Sequence, residues 1–400
     1  MNIQAIRDEF PALRNYIWFQ NGGVSITPRC IAAVHNRFMD ELLERGPMHI
    51  VYPDEECPRR AATMDRLARF FSVSASELAV MRGVSEAFQT VLRGMSWQAD
   101  DEIIITEDEE AALLLPVLHL RDRVGVRVVK LPLLSSADSQ GSSQPTYDSK
   151  TVVDALHSRL SARTKLVAVS HVTTDLGVRL PIRSMCRAAR DQGVATFVDL
   201  AHSAGLFPTP LSQLGCDYAG LLSYKWMYAP YAAGLLYVRE ECIEQLQVKY
   251  AGGRSEKWLD FENDQYELAD SAQRFQYGPW SWPLIHSWAA SADWLDEIGL
   301  DEIWERTVAL ATRLKDGLRS IAGITFYTPP SPEHSAALVT FSVPGWTGED
   351  LASALRTRWN MIVKPLPHTR EGLRISLNFF LLEEETDQLI DAIGVLASER

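Results

Sequence analysis

Residues 194–205 read VATFVDLAHSAG, and residues 221–230 read LLSYKWMYAP. The first stretch is an apolar run that ends in the acid Asp199, which is typical of a buried strand, and the second sets Lys225 among tyrosine, tryptophan and methionine. Apolar surroundings lower the pKa of a lysine, and a neutral amine is a nucleophile that can form a Schiff base with an aldehyde. Alternatively, the stem of Lys225 lies on the aromatic rings and its head reaches water. The rest of the chain decides between these roles.

Apolar strands alternate with helices ahead of Asp199. The pattern predicts strands at residues 102–106, 126–131, 165–170 and 194–199, and helices at residues 110–123, 149–160 and 182–192. This alternation indicates a parallel sheet with helices on both faces, and ligands bind such sheets at the carboxyl ends of the strands. Ser85, Thr174, Asp199 and His202 follow strands, so we expect them to converge on one cleft. A short helix is predicted after His202.

Three units are expected along the chain. Residues 1–30 form an N-terminal segment, residues 31–275 a large domain and residues 276–400 a small α+β domain, because the alternation stops near residues 276–283. The Ser- and Gln-rich patch at residues 135–146 is predicted to be an exposed loop. Helices are also predicted at residues 29–43, 58–71, 284–298, 301–321, 348–357 and 383–398, and strands at residues 324–327, 337–341 and 373–376.

The composition is that of an ordinary globular protein. The 400 residues include 46% hydrophobic ones, and the net charge of −13 with scattered basic residues argues against a nucleic-acid partner. No run of about 18 apolar residues offers a membrane span, and residues 1–9 carry charges where a signal peptide would be apolar. The five cysteines form no C-x-x-C pair, which favours reduced thiols in a cytoplasmic protein over disulfides or a metal site.

Residues 78–89 read LAVMRGVSEAFQ, which predicts a strand, a glycine turn and a helix start with Ser85 as the N-cap residue. Such a turn exposes N–H groups that suit a phosphate, although an ordinary capped helix has the same pattern. Asp199 is open to a similar choice. Its carboxylate caps a helix, or it pairs with a protonated ring nitrogen, which a pyridinium needs in order to act as an electron sink.

Residues 198–205, followed by residues 223–226, resemble the core of the class V aminotransferase group of pyridoxal-phosphate enzymes, which includes cysteine desulfurases, isopenicillin N epimerase-like proteins and kynureninase. The resemblance extends from about residue 18 to residue 382. It implies the aspartate-aminotransferase-like fold (fold type I), in which helices flank a mostly parallel sheet in the large domain and a small C-terminal α+β domain follows. It also implies pyridoxal 5′-phosphate as the cofactor, carried by Lys225 in a Schiff base.

The resemblance assigns the remaining cofactor contacts by position. Asp199 faces the pyridine nitrogen, and His202 and Thr174 lie near the phenolic oxygen. The implied phosphate ligands are Ser85, the N–H groups of Glu86 and Ala87, and Tyr224. Gly278 belongs to a segment that a partner subunit lends to the phosphate, which implies a homodimer.

The resemblance also implies a substrate side. Arg374, in the GLRISL stretch at residues 372–377, binds the substrate carboxylate, since a guanidinium fork fits a carboxylate bidentately. The alternative for Arg374 is a strand arginine in a surface ion pair. Asn21 and Gly22 resemble the N-terminal turn that lines this side.

Three positions depart from the family pattern. Glu110 stands where an aromatic residue or histidine usually stacks on the pyridine ring; it contacts a cationic part of the substrate, takes part in acid–base chemistry, or is a helix-start acid favoured by the dipole. Pro279 replaces a frequent threonine, so the partner's phosphate contact is altered. No cysteine follows Cys242, and residues 361–370, which match the persulfide-forming region of desulfurases, read MIVKPLPHTR. A persulfide mechanism is therefore not expected.

These residues lead us to expect an aminotransferase-like enzyme that acts on an amino acid. The substrate amine displaces Lys225, and the freed Lys225 removes the proton from Cα. The alternatives are an epimerase, a β-eliminating enzyme of the C–S lyase type without a persulfide cysteine, and a non-catalytic relative of the fold. A dinucleotide-binding oxidoreductase is disfavoured, because no G-x-G-x-x-G follows a predicted strand.

Overall fold

The computed structural model describes residues 1–134, 146–366 and 370–400. The predicted loop at residues 135–146 lies outside the described residues except for Thr146. The strands in the described ranges are β1 (Ile17–Trp18), β2 (Leu78–Met81), β3 (Glu102–Thr106), β4 (Arg127–Leu131), β5 (Thr164–Ser170), β6 (Ala195–Asp199), β7 (Tyr218–Leu222), β8 (Gly234–Val238), β9 (Glu256–Asp260), β10 (Gln265–Leu268), β11 (Thr325–Phe326), β12 (Leu338–Ser342), β13 (Met361–Ile362), β14 (Lys364–Pro365) and β15 (Leu373–Ser376).

The helices connect and cover these strands. They are α1 (Ile3–Asp8), α2 (Arg29–Arg45), α3 (Met48–Val51), α4 (Pro53–Phe70), α5 (Val84–Gly94), α6 (Ala111–Val124), α7 (Ser149–Arg159), α8 (Ile182–Arg190), α9 (Leu211–Leu214), α10 (Trp282–Ile298), α11 (Leu300–Arg319), α12 (Gly348–Trp359) and α13 (Glu383–Ser398). None of the helices that the structure describes is long and apolar enough to cross a membrane.

The large sheet has seven strands in the order β4-β3-β5-β6-β7-β8-β2. Strand β8 runs antiparallel to β2 and β7, and the other neighbouring pairs are parallel. Strands β3, β7 and β8 are buried along their whole length, because both faces of the sheet are covered: Ile104 of β3 belongs to one core cluster, and Ile103 and Ile105 belong to another. This double burial explains the near-continuous apolar runs in the sequence, and the mostly parallel sheet that those runs predict is confirmed.

Two glycine contacts shape the loops at the carboxyl edge of this sheet. Gly205 has φ +87°, and a Cβ there would lie 2.4 Å from the carbonyl oxygen of Trp226. A Cβ on Gly234 would lie 2.4 Å from Cα of Gly83. A side chain at Gly205 would therefore push apart the loops that follow β6 and β7. A side chain at Gly234 would push β8 away from the turn that starts α5.

A second, four-stranded antiparallel sheet has the order β11-β12-β15-β14. The N-terminal segment joins this unit, since β1 pairs in parallel with β13 and Gln20 bridges to Ser376. Helix α10 packs against α2 and α4, whereas α11 packs against α13 and β12. The boundaries expected at residues 30 and 275 stay predictions.

Several local predictions are wrong in detail. Gly83, with φ +155°, is the N-cap of α5, and Ser85 lies in the first helical turn. Turns follow His202 directly, because the glycine at position 205 turns the chain against Trp226, and the predicted short helix, α9, begins only at Leu211. Helix α4 begins at Pro53 instead of residue 58, since a proline is tolerated in a first turn. The hairpin of β9 and β10 was not predicted, because its burial is low on both faces.

Candidate active site

The carboxyl edge of the large sheet borders a cavity of about 530 Å³. It lies where β6 and β7 end and α5 begins, and residues of the N-terminal turn and of β14 also line it. The predicted site residues that line it are Gly22, Ser85, Glu86, Glu110, Asp199, His202, Tyr224 and Lys225. Three of the strand-end residues expected to converge line this cavity: Ser85, Asp199 and His202. Thr174 does not line it, but its hydroxyl donates to Glu110, which does.

Lys225 is buried near the start of the loop that follows β7, with 7% of its surface exposed. Its Nζ lies 3.3 Å from Nε2 of His202. Burial and the positive charge of Arg374 lower the pKa of Lys225 to about 8, while Asp199 and Glu110 oppose the change. About a tenth of this amine is therefore uncharged and nucleophilic at pH 7.

Asp199 is the last residue of β6 and is 3% exposed. The N–H of Ala201 donates to its Oδ1 at 2.7 Å, which orients the carboxyl group at the strand end. Burial raises the pKa of Asp199 to about 6, against the hydrogen bond from Ala201 and the charge of Lys225. A positively charged group in the cavity would stabilise the carboxylate form.

His202 is buried between Lys225 and Trp226. The indole N–H of Trp226 donates to Nδ1 at 3.5 Å, which leaves Nε2 to face Lys225. Burial and the charge of Lys225 hold the pKa of His202 well below its usual value, so the ring is neutral. The neutral tautomer that accepts at Nδ1 carries its proton on Nε2.

The N-terminus of α5 forms one end of the cavity. The first three N–H groups of a helix lack intrahelical acceptors, and here they belong to Val84, Ser85 and Glu86. The N–H of Ala87 donates to Gly83 O at 3.1 Å. The Ala87 N–H is therefore already engaged by the helix, and its assignment as a phosphate ligand stays a prediction.

The Glu86 carboxylate braces this turn. It accepts from the Arg82 backbone at 2.6 Å, from Arg82 Nη2 at 2.8 Å and from the Tyr277 hydroxyl at 2.9 Å. Arg82 also lines the cavity and was not predicted from the sequence, although it directly precedes the glycine turn.

Tyr277 holds the segment that contains Gly278 beside this end, but Gly278 itself does not line the cavity of the described chain. The ring of Tyr224, which does line it, stacks on Tyr231 at 4.8 Å.

Arg374 lies in the middle of β15 and is fully buried. Its Nη1 donates to the Thr174 hydroxyl at 2.7 Å and to the Thr174 carbonyl at 3.2 Å. The Thr174 hydroxyl in turn donates to Glu110 Oε2 at 2.9 Å. Thr174 therefore links Glu110 to Arg374, a contact that the resemblance did not imply. Nε of Arg374 has no hydrogen-bond partner in the described part of the chain, and Arg374 is not among the residues that line the cavity.

Glu110 is the N-cap residue of α6, but its side chain makes no capping hydrogen bond. Burial opposes its ionisation, yet Lys225, the Thr174 hydroxyl, Lys364 and Arg374 together lower the pKa of Glu110. The side chain is therefore an ionised carboxylate at neutral pH, held on the substrate side by Thr174.

The N-terminal turn is tied to the lysine loop. Asn21 is fully buried, and its Nδ2 donates to the Lys225 carbonyl at 3.4 Å. Its Oδ1 has no hydrogen-bond partner among the described residues. A Cβ on Gly22 would lie 2.7 Å from Ser376 Oγ and 3.4 Å from the His202 ring, so this turn approaches both β15 and the catalytic candidates.

Sequence reasoning also missed Glu109 and Lys364. Glu109 is buried, and it accepts from the hydroxyls of Ser170 and Thr106 at 2.6 Å each, while burial raises its pKa to about 8. Four consecutive acids at residues 107–110 look like a solvated run, but their position directly after β3 was a usable signal. Lys364 lines the cavity from β14.

Residues 58–389 match the family model described as aminotransferase class-V. The chain belongs to this family, whose members depend on pyridoxal 5′-phosphate. It is 25% identical to a probable cysteine desulfurase of Methanothermobacter thermautotrophicus, over 99% of this chain and 98% of that protein. It is 29% identical to the isopenicillin N epimerase of Streptomyces clavuligerus, over 84% of each chain.

Solved structures share the fold. The apo cysteine desulfurase from Thermococcus onnurineus NA1 superposes with a TM-score of 0.87 at 22% identity, covering 99% of this chain and 98% of that one. The cystine C-S lyase C-DES with its product cysteine persulfide gives a TM-score of 0.86 at 23% identity, covering 96% and 99%. The family and fold class expected from the sequence are confirmed.

The residues around the cavity fit the family's cofactor. A buried amine with a lowered pKa, a carboxyl group at a strand end and a helix N-terminus with free N–H groups all border the same 530 Å³ space. These groups match an aldehyde, a ring nitrogen and a phosphate in chemical type.

Proposed function

We propose that this protein removes the α-proton of an amino acid, with Lys225 as both the cofactor-binding amine and the base. The observation that carries the proposal is the buried Lys225 amine, with a pKa of about 8, in one cavity with Asp199. Bound pyridoxal phosphate supplies an electron sink for the charge that develops at Cα.

Each remaining side chain has a role that follows from its position. Asp199 holds a proton on the ring nitrogen, and neutral His202 donates through Nε2 to orient the Lys225 amine. The free N–H groups of α5, with Ser85 and Arg82, hold the phosphate. Tyr224 borders this end.

Arg374 binds the substrate carboxylate through its free Nε and the remaining terminal N–H groups. Asn21 ties the N-terminal turn to the Lys225 loop and so keeps solvent from the base. Glu110 holds Thr174, which orients the guanidinium.

The reaction that we propose is aminotransferase-like. A second candidate, epimerisation, is favoured by one observation: an ionised Glu110 lines the same cavity as Lys225 and could serve as a second base. Desulfuration through a persulfide is not proposed, because no cysteine follows Cys242 in the sequence.

The test uses the cofactor-loaded protein in deuterium oxide with a panel of L-amino acids. Magnetic resonance measures deuterium at Cα, and spectra and product analysis measure the amine form of the cofactor and the 2-oxo acid. Appearance of a 2-oxo acid together with the amine form of the cofactor supports transamination, whereas exchange at Cα with change of configuration supports epimerisation. Absence of exchange and of product with every amino acid would refute the proposal.

We also infer that the enzyme works as a homodimer. Apolar side chains on α2 and α3 are exposed, among them Leu43 at 86% and Ile50 at 69%. They adjoin a groove of about 770 Å³ lined by Met39, Pro279 and Trp280. Exposed apolar patches of this kind mark protein interfaces.

Sedimentation tests this inference. We expect a mass near twice the 44.9 kDa of one chain, and a monomer for the double variant Leu43→Glu with Ile50→Glu. Val395→Glu, on the exposed face of α13, is the matched control and should leave the mass unchanged. A monomeric wild-type protein would contradict the inference.

A further inference from the structure

Two cations face each other across strands β14 and β15. Lys364 is the register partner of Arg374. Lys364 lines the cavity, whereas Arg374 is fully buried and donates to Thr174. Directly opposed residues in an antiparallel pair have Cβ atoms about 4.5–5.5 Å apart, and like charges in such pairs are destabilising. Anionic groups near Lys364 and Arg374 would therefore offset this repulsion.

The acids nearby are largely engaged with other donors. Glu110 accepts the Thr174 hydroxyl at 2.9 Å. Asp108 accepts the N–H groups of Asp175 and Leu176 at 3.0 and 2.7 Å, and Asp175 also has an interaction partner. Glu110 and Asp175 thus influence Lys364 by charge alone, without a hydrogen bond to its ammonium.

The Lys364 ammonium itself has no hydrogen bond, and no acid within 4.0 Å, in residues 1–134, 146–366 and 370–400. The side chain is half-buried, and burial together with Arg374 lowers its pKa. A partly desolvated cation without a bonded partner is unfavourable. An anionic ligand therefore gains more binding free energy here than it would at an exposed lysine.

We propose that Lys364 binds an anionic group on the substrate side chain, so that the enzyme acts on amino acids whose side chains end in a carboxylate. The proposal rests on the proposed function. Arg374 takes the α-carboxylate, and Lys364 on the neighbouring strand takes the second one. The close spacing of the two strands suits a dicarboxylic amino acid with a short chain between its acid groups.

The experiment compares acids with their amides. Spectral titration of the cofactor-loaded enzyme measures dissociation constants for L-aspartate and L-glutamate against L-asparagine and L-glutamine. A carboxylate on a desolvated ammonium should bind about 10- to 100-fold more tightly than the amide of the same shape. Lys364→Met should abolish this preference, and Lys364→Arg should keep most of it.

Two controls isolate the charge of Lys364. Lys150→Met removes an exposed lysine that pairs with Asp154 on α7, and it should change neither constant. Calorimetry with glutarate and butyrate, which have no amine, measures the same preference without any chemistry at Cα. Melting temperature and cofactor content report whether each variant folds. If Lys364→Met does not fold, the acid-to-amide preference of Lys364→Arg and of the wild-type enzyme still tests the proposal.

The outcomes separate two failures. Equal affinity of the wild-type enzyme for acids and amides, or an equal loss for both in Lys364→Met, would overturn the role of Lys364 and leave it as a counter-ion of Glu110. The proposed function fails separately, when no amino acid of either kind exchanges its α-proton in the wild-type enzyme. Preferential glutarate binding that depends on Lys364 would then still support the contact between Lys364 and an anionic group.

Discussion

The two halves of the candidate site are built in different ways. The cofactor half consists of Ser85, Asp199, His202 and Lys225, which lie at or just after the ends of β2, β6 and β7 of one sheet. The substrate half joins Glu110 and Thr174 of the large sheet's loops to Arg374 and Lys364 of the small sheet. The first half depends on a single rigid framework, whereas the second depends on how two sheets meet.

This difference separates shared chemistry from selectivity. Strand ends of one sheet hold their side chains in fixed relative positions, as binding the same cofactor throughout a family requires. Loops and a second sheet can change independently of that framework. We therefore expect substitutions in the first half to abolish chemistry and substitutions in the second to alter substrate binding.

The largest effect is expected for Lys225→Ala. Loss of the nucleophilic amine should lower turnover by about 10³-fold and remove the borohydride-reducible visible band. Lys315→Met is the matched control, because Lys315 is also buried with a pKa lowered to about 8, but donates to Ser335 at 2.8 Å outside the cavity. If both variants lose the band, burial alone rather than position in the cofactor half explains the reactivity.

Asp199→Asn should reduce turnover by about 10²-fold, because a neutral amide cannot hold a proton on the ring nitrogen as a carboxylate does. The measurement is kcat together with the visible spectrum. Asp217→Asn changes another buried acid, which binds Thr196 at 2.8 Å before β7, and should cost stability without changing the spectrum. An unchanged kcat in Asp199→Asn would contradict the assignment.

Arg374→Met should raise KM by about 10- to 100-fold, since a charge-assisted pair with the substrate carboxylate is lost. Cofactor content should stay that of the wild type, because this side chain lies in the substrate half. Steady-state kinetics and absorbance together check both points. Loss of cofactor in this variant would contradict the assignment of Arg374 to substrate binding alone.

The pH dependence of cofactor loading should follow Lys225. Its pKa is lowered to about 8, so the amine is charged below that pH and neutral above it. The rate at which the cofactor-free protein forms the reducible adduct should therefore rise roughly tenfold between pH 7 and pH 9 and then level off. A rate that is flat across this range would show that another group limits the step.

The smallest effect is expected at Glu110. Glu110→Ala removes the acceptor of the Thr174 hydroxyl and should raise KM by about 3- to 10-fold, as loss of one hydrogen bond does. Glu110→Gln keeps an acceptor and should stay within about twofold of the wild type. If Gln is as damaging as Ala in kcat, the carboxylate takes part in proton transfer instead.

The sequence by itself determined the framework. Apolar runs that alternate with helices are set by local periodicity, and they predicted the strands that end at Thr106, Ser170 and Asp199. The motif around Lys225 and the glycine turn before α5 are contiguous in sequence, so their residue types identified the family and its cofactor.

Only the tertiary structure decided the substrate half. The hydrogen bonds from Arg374 to Thr174 and from Thr174 to Glu110 join residues far apart in the chain, and no local pattern encodes them. The facing of Lys364 and Arg374 depends on the register of β14 with β15, and the charge state of each group depends on its burial. Periodicity specifies which face of an element is buried, but contacts between distant elements depend on how those faces pack.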